Sequence, residues 1–183
     1  MTPSPMTGTV ARPVLGDRPA DPSSPPDYRR VLGRIPTGVA IVAGIYGARP
    51  VGVAVGSFTS VSLDPPLVGF FIATTSTTWP VIELSGGFCA SILGADQDGV
   101  SRQFGTSGAE RFAGCGWRSS PGGRPIIDGA VAWLDCSIEE ILPAGDHRLV
   151  LGRIESMASS HDGEPLVFLG GRHRRLTEER RDA

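Results

Sequence analysis

The stretch from Val51 to Pro66, VGVAVGSFTSVSLDPP, constrains the fold more than any other part of the chain. Valines at positions 51, 53 and 55 alternate with glycine or alanine, which is the period of a β-strand. One face of that strand carries almost no side chain, so the pattern predicts a wall that a flat ligand can approach closely. Prolines at 65 and 66 end the stretch, because proline lacks an amide donor and fixes its own φ.

The second half of this stretch is rich in hydroxyl groups, carried by Ser57, Thr59, Ser60 and Ser62. Hydroxyls and backbone amides form hydrogen bonds without adding charge. The pattern therefore predicts a turn that holds the polar edge of a planar ligand.

Length and charge exclude several classes of function. The chain has 183 residues and a formal net charge of -2, which suits one domain or half of a compact dimer. The near balance of charges gives no reason to expect nucleic acid or an anionic membrane as a partner. The N-terminus has no basic segment followed by an apolar core, so no secretory signal is predicted.

Cysteine usage points to a reducing compartment. The three cysteines, at positions 89, 115 and 136, are odd in number and widely spaced, which is unsuited to a disulfide framework. We expect small core residues at these positions and a cytoplasmic protein.

Periodicity predicts a mainly β chain with short helices. Apolar runs predict seven strands, at residues 39–45, 51–58, 67–73, 88–93, 130–142, 147–157 and 165–169. Helices are expected from Asp27, with an apolar stripe at 28, 31, 32 and 35, and over residues 79–84 and 97–104. Short connections, including an Asp-Gly turn at 162–163, favour an antiparallel barrel over a parallel sheet. Residues 1–26 are predicted to be a disordered tail, 27–176 one domain, and 177–183 a charged tail.

Hydrolytic and metal motifs are missing from the sequence. The three histidines fall in no HExxH pattern, and CxxC, GxSxG, P-loop and GxGxxG patterns do not occur. An enzyme with this sequence would rely on an organic cofactor for its chemistry.

Several motifs in order resemble the flavin reductase family. The string GVAVGSFTSVSLDPPLVGF at 52–70 is followed by GFCA at 87–90, RF at 111–112, GDH at 145–147 and PLVF at 165–168, and RIPTGV precedes it at 34–39. The resemblance covers about residues 28–176. It implies a split β-barrel of six or seven antiparallel strands that binds FMN or FAD, usually as a homodimer. It also implies hydride transfer from NADH or NADPH to the flavin, and delivery of reduced flavin to a partner monooxygenase.

The same resemblance implies a set of site residues. His147 would face the reacting groups, with Asp146 fixing the orientation of its ring. The nicotinamide would lie near His173, and the flavin phosphate near Ser76, Thr77 and Thr78. The remaining flavin contacts would come from Gly56, Ser57, Phe58, Thr59, Ser60, Val61, Ser62, Phe88, Cys89, Ala90 and Phe104.

Three alternatives stay open at this point. The protein would be a carrier or sensor if it held flavin tightly without turnover. An oxidase of the pyridoxamine-phosphate type uses a related barrel but needs basic residues, which the central strand lacks. A catalytically inactive barrel kept for protein interaction is the third. Arg148 is predicted either to face solvent or to meet a nucleotide phosphate.

Overall fold

The computed structural model describes residues 20–107, 110–160 and 163–176. Within those ranges the chain forms three helices and twelve strands. In order they are α1 (Pro25–Leu32), β1 (Thr37–Gly38), β2 (Ala40–Tyr46), β3 (Arg49–Val55), β4 (Thr59–Leu63), β5 (Pro66–Ala73), α2 (Trp79–Glu83), β6 (Gly87–Ile92), α3 (Asp98–Gly105), β7 (Trp117–Ser119), β8 (Pro125–Ile127), β9 (Ala132–Ala144), β10 (His147–Ser159), β11 (Val167–Leu169) and β12 (Arg172–Arg174).

Seven of the strands form one sheet in the order β3-β2-β6-β9-β10-β5-β4, and every pairing within it is antiparallel. Strands β3 and β4 lie at opposite edges, yet only residues 56–58 connect them. Fully extended, the four Cα steps from Val55 to Thr59 span at most about 14 Å. The sheet must therefore curl until its edges approach each other. The mainly β, antiparallel fold predicted from the sequence is confirmed, and this curl fits a split barrel.

Aromatic side chains fill the inside of the curled sheet. The fully buried ring of Phe70 lies 5.3 Å from Phe88 and 5.4 Å from Trp79, centroid to centroid, in edge-to-face geometry. Gly152 on β10 faces Phe88 so closely that a Cβ atom there would overlap the phenyl ring. A second apolar cluster, which includes Ile41 and Phe104, packs on the other face of the sheet.

The structure differs from the sequence predictions around the first helix. Helix α1 begins at Pro25 rather than Asp27, and its predicted apolar stripe is exposed. The side chains at 28, 31, 32 and 35 keep 42–57% of their surface. Periodicity identified the stripe correctly but cannot say whether another element covers it. The rest of the predicted N-terminal tail, residues 1–19, and the tail at 177–183 lie outside the described residues.

Two β predictions are wrong. The predicted strand at 51–58 ends at Val55, and the hydroxyl-rich segment after it is mostly the edge strand β4, not a turn. The final hairpin is also different, because β11 pairs with β1 and β12 rather than with β10. Asp162 of the predicted turn lies outside the described residues. None of the helices in the described ranges is long and apolar enough to cross a membrane.

Candidate functional site

The small-residue face of β3 is only partly open. At Gly52 an added Cβ would come within 3.0 Å of Phe104 and 3.3 Å of Phe112. Glycine is therefore needed there because two aromatic rings cover the strand. The open part of the predicted wall is Ala54 and Gly56, which line a cavity of about 540 Å³ beside α3 and β12. The wall exists, but it is shorter than the sequence pattern predicts.

His173 stands in this cavity, which we call the wall cavity. Its Nε2 atom lies 2.9 Å from Oγ of Ser101, and its ring meets Phe168 edge-on at 5.4 Å. Burial, and secondly the charge of Arg102, lowers the pKa of His173. The imidazole is thus neutral at pH 7. The wall cavity combines a flat apolar surface with one uncharged polar group.

A second cavity, of about 490 Å³, lies at the other end of β3. We call it the loop cavity, because residues of the 74–78 loop and of 110–113 line it against β3. Arg111 joins these segments. Its Nη1 donates to Oγ1 of Thr78 at 2.7 Å and to the Gly52 carbonyl at 2.8 Å. Its Nε donates to the carbonyl of Thr106 at 3.2 Å, a residue that lines the wall cavity.

The loop cavity has the chemistry of an anion site. Burial lowers the pKa of Arg111, and no acidic side chain bonds to it within the described residues. Its positive charge is therefore held beside hydroxyl groups with no carboxylate bonded to it, although Glu110 also lines this cavity. Arg49 also lines this cavity and is exposed. Cationic side chains and hydroxyls in one concavity suit a phosphate group.

The three predicted phosphate residues have different surroundings. Oγ of Ser76 accepts the amide of Trp79 at 3.2 Å, so its hydroxyl helps to begin α2. Thr78 accepts from Arg111. Thr77 is exposed and lines the loop cavity with Thr78. The structure therefore brings two of the three, Thr77 and Thr78, into one cavity.

His147 begins β10, directly after the Gly145-Asp146 turn. It lies opposite Ala73 at the end of β5. Its Nδ1 is 2.6 Å from Oδ1 of Asp146, and this hydrogen bond holds the pKa of Asp146 below its usual range. Donation through Nδ1 leaves Nε2 as the nitrogen available to a ligand. His147 and Asp146 are brought together as predicted, although His147 is not among the residues lining either cavity.

The hydroxyl-rich segment contributes less side-chain chemistry than predicted. Oγ of Ser57 accepts the amide of Phe71 at 2.9 Å and donates to its carbonyl at 3.3 Å. The Ser57 hydroxyl therefore links residues 56–58 to β5 by hydrogen bonds. Phe58 packs against the core and stacks on Phe70. The other predicted residues are on β4, an exposed edge strand apart from a half-buried Ser62; they are Thr59, Ser60, Val61 and Ser62.

Four of the predicted flavin-contact residues have fully buried side chains in this structure. Side chains that are fully buried cannot line an open site, and this applies to Phe88, Cys89, Ala90 and Phe104. Burial raises the pKa of the Cys89 thiol to about 12, which makes it unreactive. The motif GFCA marks a core strand, and its apolar side chains face the interior.

Arg148 forms an ion pair, and the structure adds one residue to the candidate site. Nη1 of Arg148 donates to Oε2 of Glu83 at 3.1 Å, so the side chain ties β10 to α2. The sequence singles out Arg111 only as part of the RF motif and does not predict it in the site. A charged residue next to a partly buried phenylalanine is the available signal. Within the described residues no group of three or more side chains is arranged to hold a metal ion.

Comparison with known proteins identifies relatives for nearly the whole domain. A family model described as the flavin reductase like domain matches residues 32–177. A flavin reductase of Pseudomonas putida is 45% identical over 146 residues, covering 79% of this chain and 86% of that protein. A reductase subunit, HsaB, of a flavin-dependent monooxygenase from Rhodococcus jostii is 40% identical over 154 residues, covering 84% of this chain and 79% of the relative.

A solved structure is similar over the same region. The NADH:FAD oxidoreductase of Streptomyces globisporus, in complex with NAD and FAD fragments, superposes with a TM-score of 0.84 at 34% identity. The match covers 89% of this chain and 99% of that one.

Proposed function

Because the chain belongs to the flavin reductase family, we infer that it is an NAD(P)H-dependent flavin reductase that supplies reduced flavin to a partner monooxygenase. The observation that carries this conclusion is the family match over residues 32–177. Relatives named as a flavin reductase, as an NADH:FMN oxidoreductase and as reductase subunits of monooxygenases support the same activity. The flavin supplies the hydride-accepting ring, and the protein supplies binding and orientation.

We propose that the loop cavity binds the flavin phosphate. Arg111 is held by three backbone or hydroxyl oxygens, so it presents a fixed charge beside Thr77 and Thr78. A guanidinium fixed in advance loses little conformational freedom when an anion binds. Charge, hydroxyls and concavity all fit a phosphoryl group.

The flat ring is proposed to lie on the open wall at Ala54 and Gly56. The missing side chains allow close approach, and His173 offers a neutral polar contact at the rim. The predicted side-chain donor Ser57 is engaged with Phe71, so backbone groups near Gly56 carry more of the binding. A flavin held largely by backbone groups is expected to exchange as a substrate.

We propose His147 as the residue that orients the hydride donor. Hydride transfer needs no protein nucleophile, only two rings held in contact with water excluded. His147 is partly exposed, with 44% of its side-chain surface accessible, and Asp146 fixes its Nδ1 side. Nε2 is then free to hold a polar group of the nucleotide.

A homodimer would complete this site. Phe71, Leu149 and Leu142 lie directly opposite one another across β5, β10 and β9. Paired residues share a face, so the three form an apolar row, and His147 lies two residues before Leu149 on the same face. Phe71 is 45% and Leu142 37% exposed. We propose that a second copy of the chain covers this row and excludes water near His147.

The cellular setting is also a proposal. The three cysteines are free thiols, which favours a reducing compartment such as the cytoplasm, where NAD(P)H is available.

Anaerobic mixing tests the activity directly. Purified protein with FMN or FAD and NADH or NADPH should bleach the absorption of oxidised flavin, whereas a mixture without protein should bleach far more slowly. Absence of bleaching with every pair would contradict the function. A flavin that co-purifies in stoichiometric amount, exchanges slowly and is not reduced would instead indicate a carrier or sensor.

A further inference from the structure

Thr74 makes two hydrogen bonds to the turn that carries Asp146. Its backbone amide and its Oγ1 both donate to the Asp146 carbonyl, each at 2.9 Å. Thr74 is the first residue after β5, and the turn joins β9 to β10. The two segments are 72 residues apart in sequence, so the contact is a tertiary one.

The Asp146–His147 contact is poorly protected by itself. The Asp146 side chain is 93% exposed, although its Oδ1 lies 2.6 Å from Nδ1 of His147. An exposed pair of this kind has little intrinsic stability, because each side chain loses freedom and water competes for the hydrogen bond. Its geometry therefore depends on how firmly the backbone of the turn is held. Gly145 has a φ of +65°, a conformation that glycine adopts easily but that glycine alone does not fix.

We propose that Thr74 is a positioning residue, which holds the Asp146 turn so that His147 keeps its proton on Nδ1. With the turn fixed, the carboxylate accepts from Nδ1–H, and in the neutral ring Nε2 is the nitrogen left to accept a hydrogen bond from the ligand. Without the Thr74 hydroxyl, the turn samples other conformations and the ring is released. This role rests on the proposed function of His147, and it adds a residue from the 74–78 loop to the orientation of the hydride donor.

The first test reads the histidine tautomer and needs no activity. Long-range ¹H–¹⁵N spectra of labelled protein at about pH 8.5, where imidazole is neutral, separate Nδ1–H from Nε2–H. The chain has only three histidines, so a His147→Gln variant assigns the signal. Wild type and Thr74→Ser, which keeps the hydroxyl, should show Nδ1–H. Thr74→Val, which keeps the shape and the backbone bond, should shift toward Nε2–H.

The second test is kinetic. For NAD(P)H-dependent flavin reduction, Thr74→Val should lower kcat about fivefold, the effect of one lost neutral hydrogen bond. KM for flavin should stay within about twofold, because no flavin contact is removed. Thr74→Ser should return kcat to within about twofold of wild type.

The outcomes separate the two proposals. An inactive wild type would overturn the proposed function while the tautomer measurement still decides the role of Thr74. An unchanged Nδ1–H signal in folded Thr74→Val overturns the positioning role. If Thr74→Val fails to fold, Thr74→Ala replaces it, since that variant also lacks the hydroxyl and keeps the backbone bond; an unchanged Nδ1–H signal there would equally overturn the positioning role.

Discussion

Nη1 of Arg111 lies 2.7 Å from Oγ1 of Thr78 and so connects the segment after α3 to the loop after β5. A second bond from the same nitrogen reaches the Gly52 carbonyl on β3 at 2.8 Å. The Arg111 side chain therefore links three segments around the loop cavity, and its positive charge lies beside the hydroxyl groups of Thr77 and Thr78. This arrangement makes Arg111 the sharpest test of where the flavin phosphate binds.

Replacing Arg111 by Gln is expected to raise KM for FMN about 10- to 100-fold, because a charge-assisted hydrogen bond to phosphate is lost. KM for riboflavin, which has no phosphate, should rise by no more than about twofold. Steady-state kinetics with both flavins measure the difference. Arg30→Gln, which removes an exposed arginine paired with Asp27 on α1, is the matched control and should change neither value. An equal rise in KM for FMN and riboflavin would show that the flavin phosphate does not bind at Arg111.

The pKa of Asp146 should depend on His147. The hydrogen bond from Nδ1, and secondly the charge of the ring, hold this pKa below the usual value in the folded protein. A depressed carboxyl pKa means that the contact is fully present above about pH 4 and is lost as the pH falls through the lowered value. In His147→Gln, carbon NMR titration should find the pKa of Asp146 close to its ordinary value. If the pKa of Asp146 were the same in wild type and in His147→Gln, the two side chains would not interact in solution.

The apolar row next to His147 should govern assembly. Phe71→Glu places a charge in the middle of the proposed interface, where an unpaired charge is strongly unfavourable. Sedimentation is expected to show monomers and the reduction rate to fall about tenfold or more, because water enters the site. Leu84→Glu, at an apolar position that is 73% exposed beyond α2, should stay dimeric and active. A dimeric Phe71→Glu protein would place the interface elsewhere.

Glycine at position 152 should be needed for stability. A Cβ atom there would overlap the Phe88 ring, so Gly152→Ala is expected to lower the free energy of unfolding by about 1–3 kcal/mol. Gly99→Ala, in α3 with no atom within 4 Å of the new Cβ, is the control. That change should be neutral or stabilising by about 1 kcal/mol through helix propensity. Urea unfolding of both variants measures the difference, and equal stabilities would contradict the packing of Phe88.

The sequence predicted the elements that local chemistry controls. The alternation over β3, the apolar run of β5 and Pro80 at the start of α2 are local signals, so the positions of these elements agree with the structure to within a few residues. The segment from Thr59 to Leu63 was missed as a strand, because serine and threonine suit a turn as well as an edge strand. Only pairing with β5 decides between them. Residues 117–119 and 125–127, which no predicted strand covers, likewise become strands through pairing with each other.

The sequence by itself determined the antiparallel β class and the family, because periodicity, turn chemistry and ordered motifs are local properties of the chain. Only the tertiary structure decided which of those residues face a cavity. Phe88, Cys89, Ala90 and Phe104 belong to well-marked motifs but are buried by strands distant in sequence. Arg111 and Thr74 gain their importance from hydrogen bonds to residues 33 and 72 positions away. Contacts of that kind form when the sheet curls, and no local pattern records them.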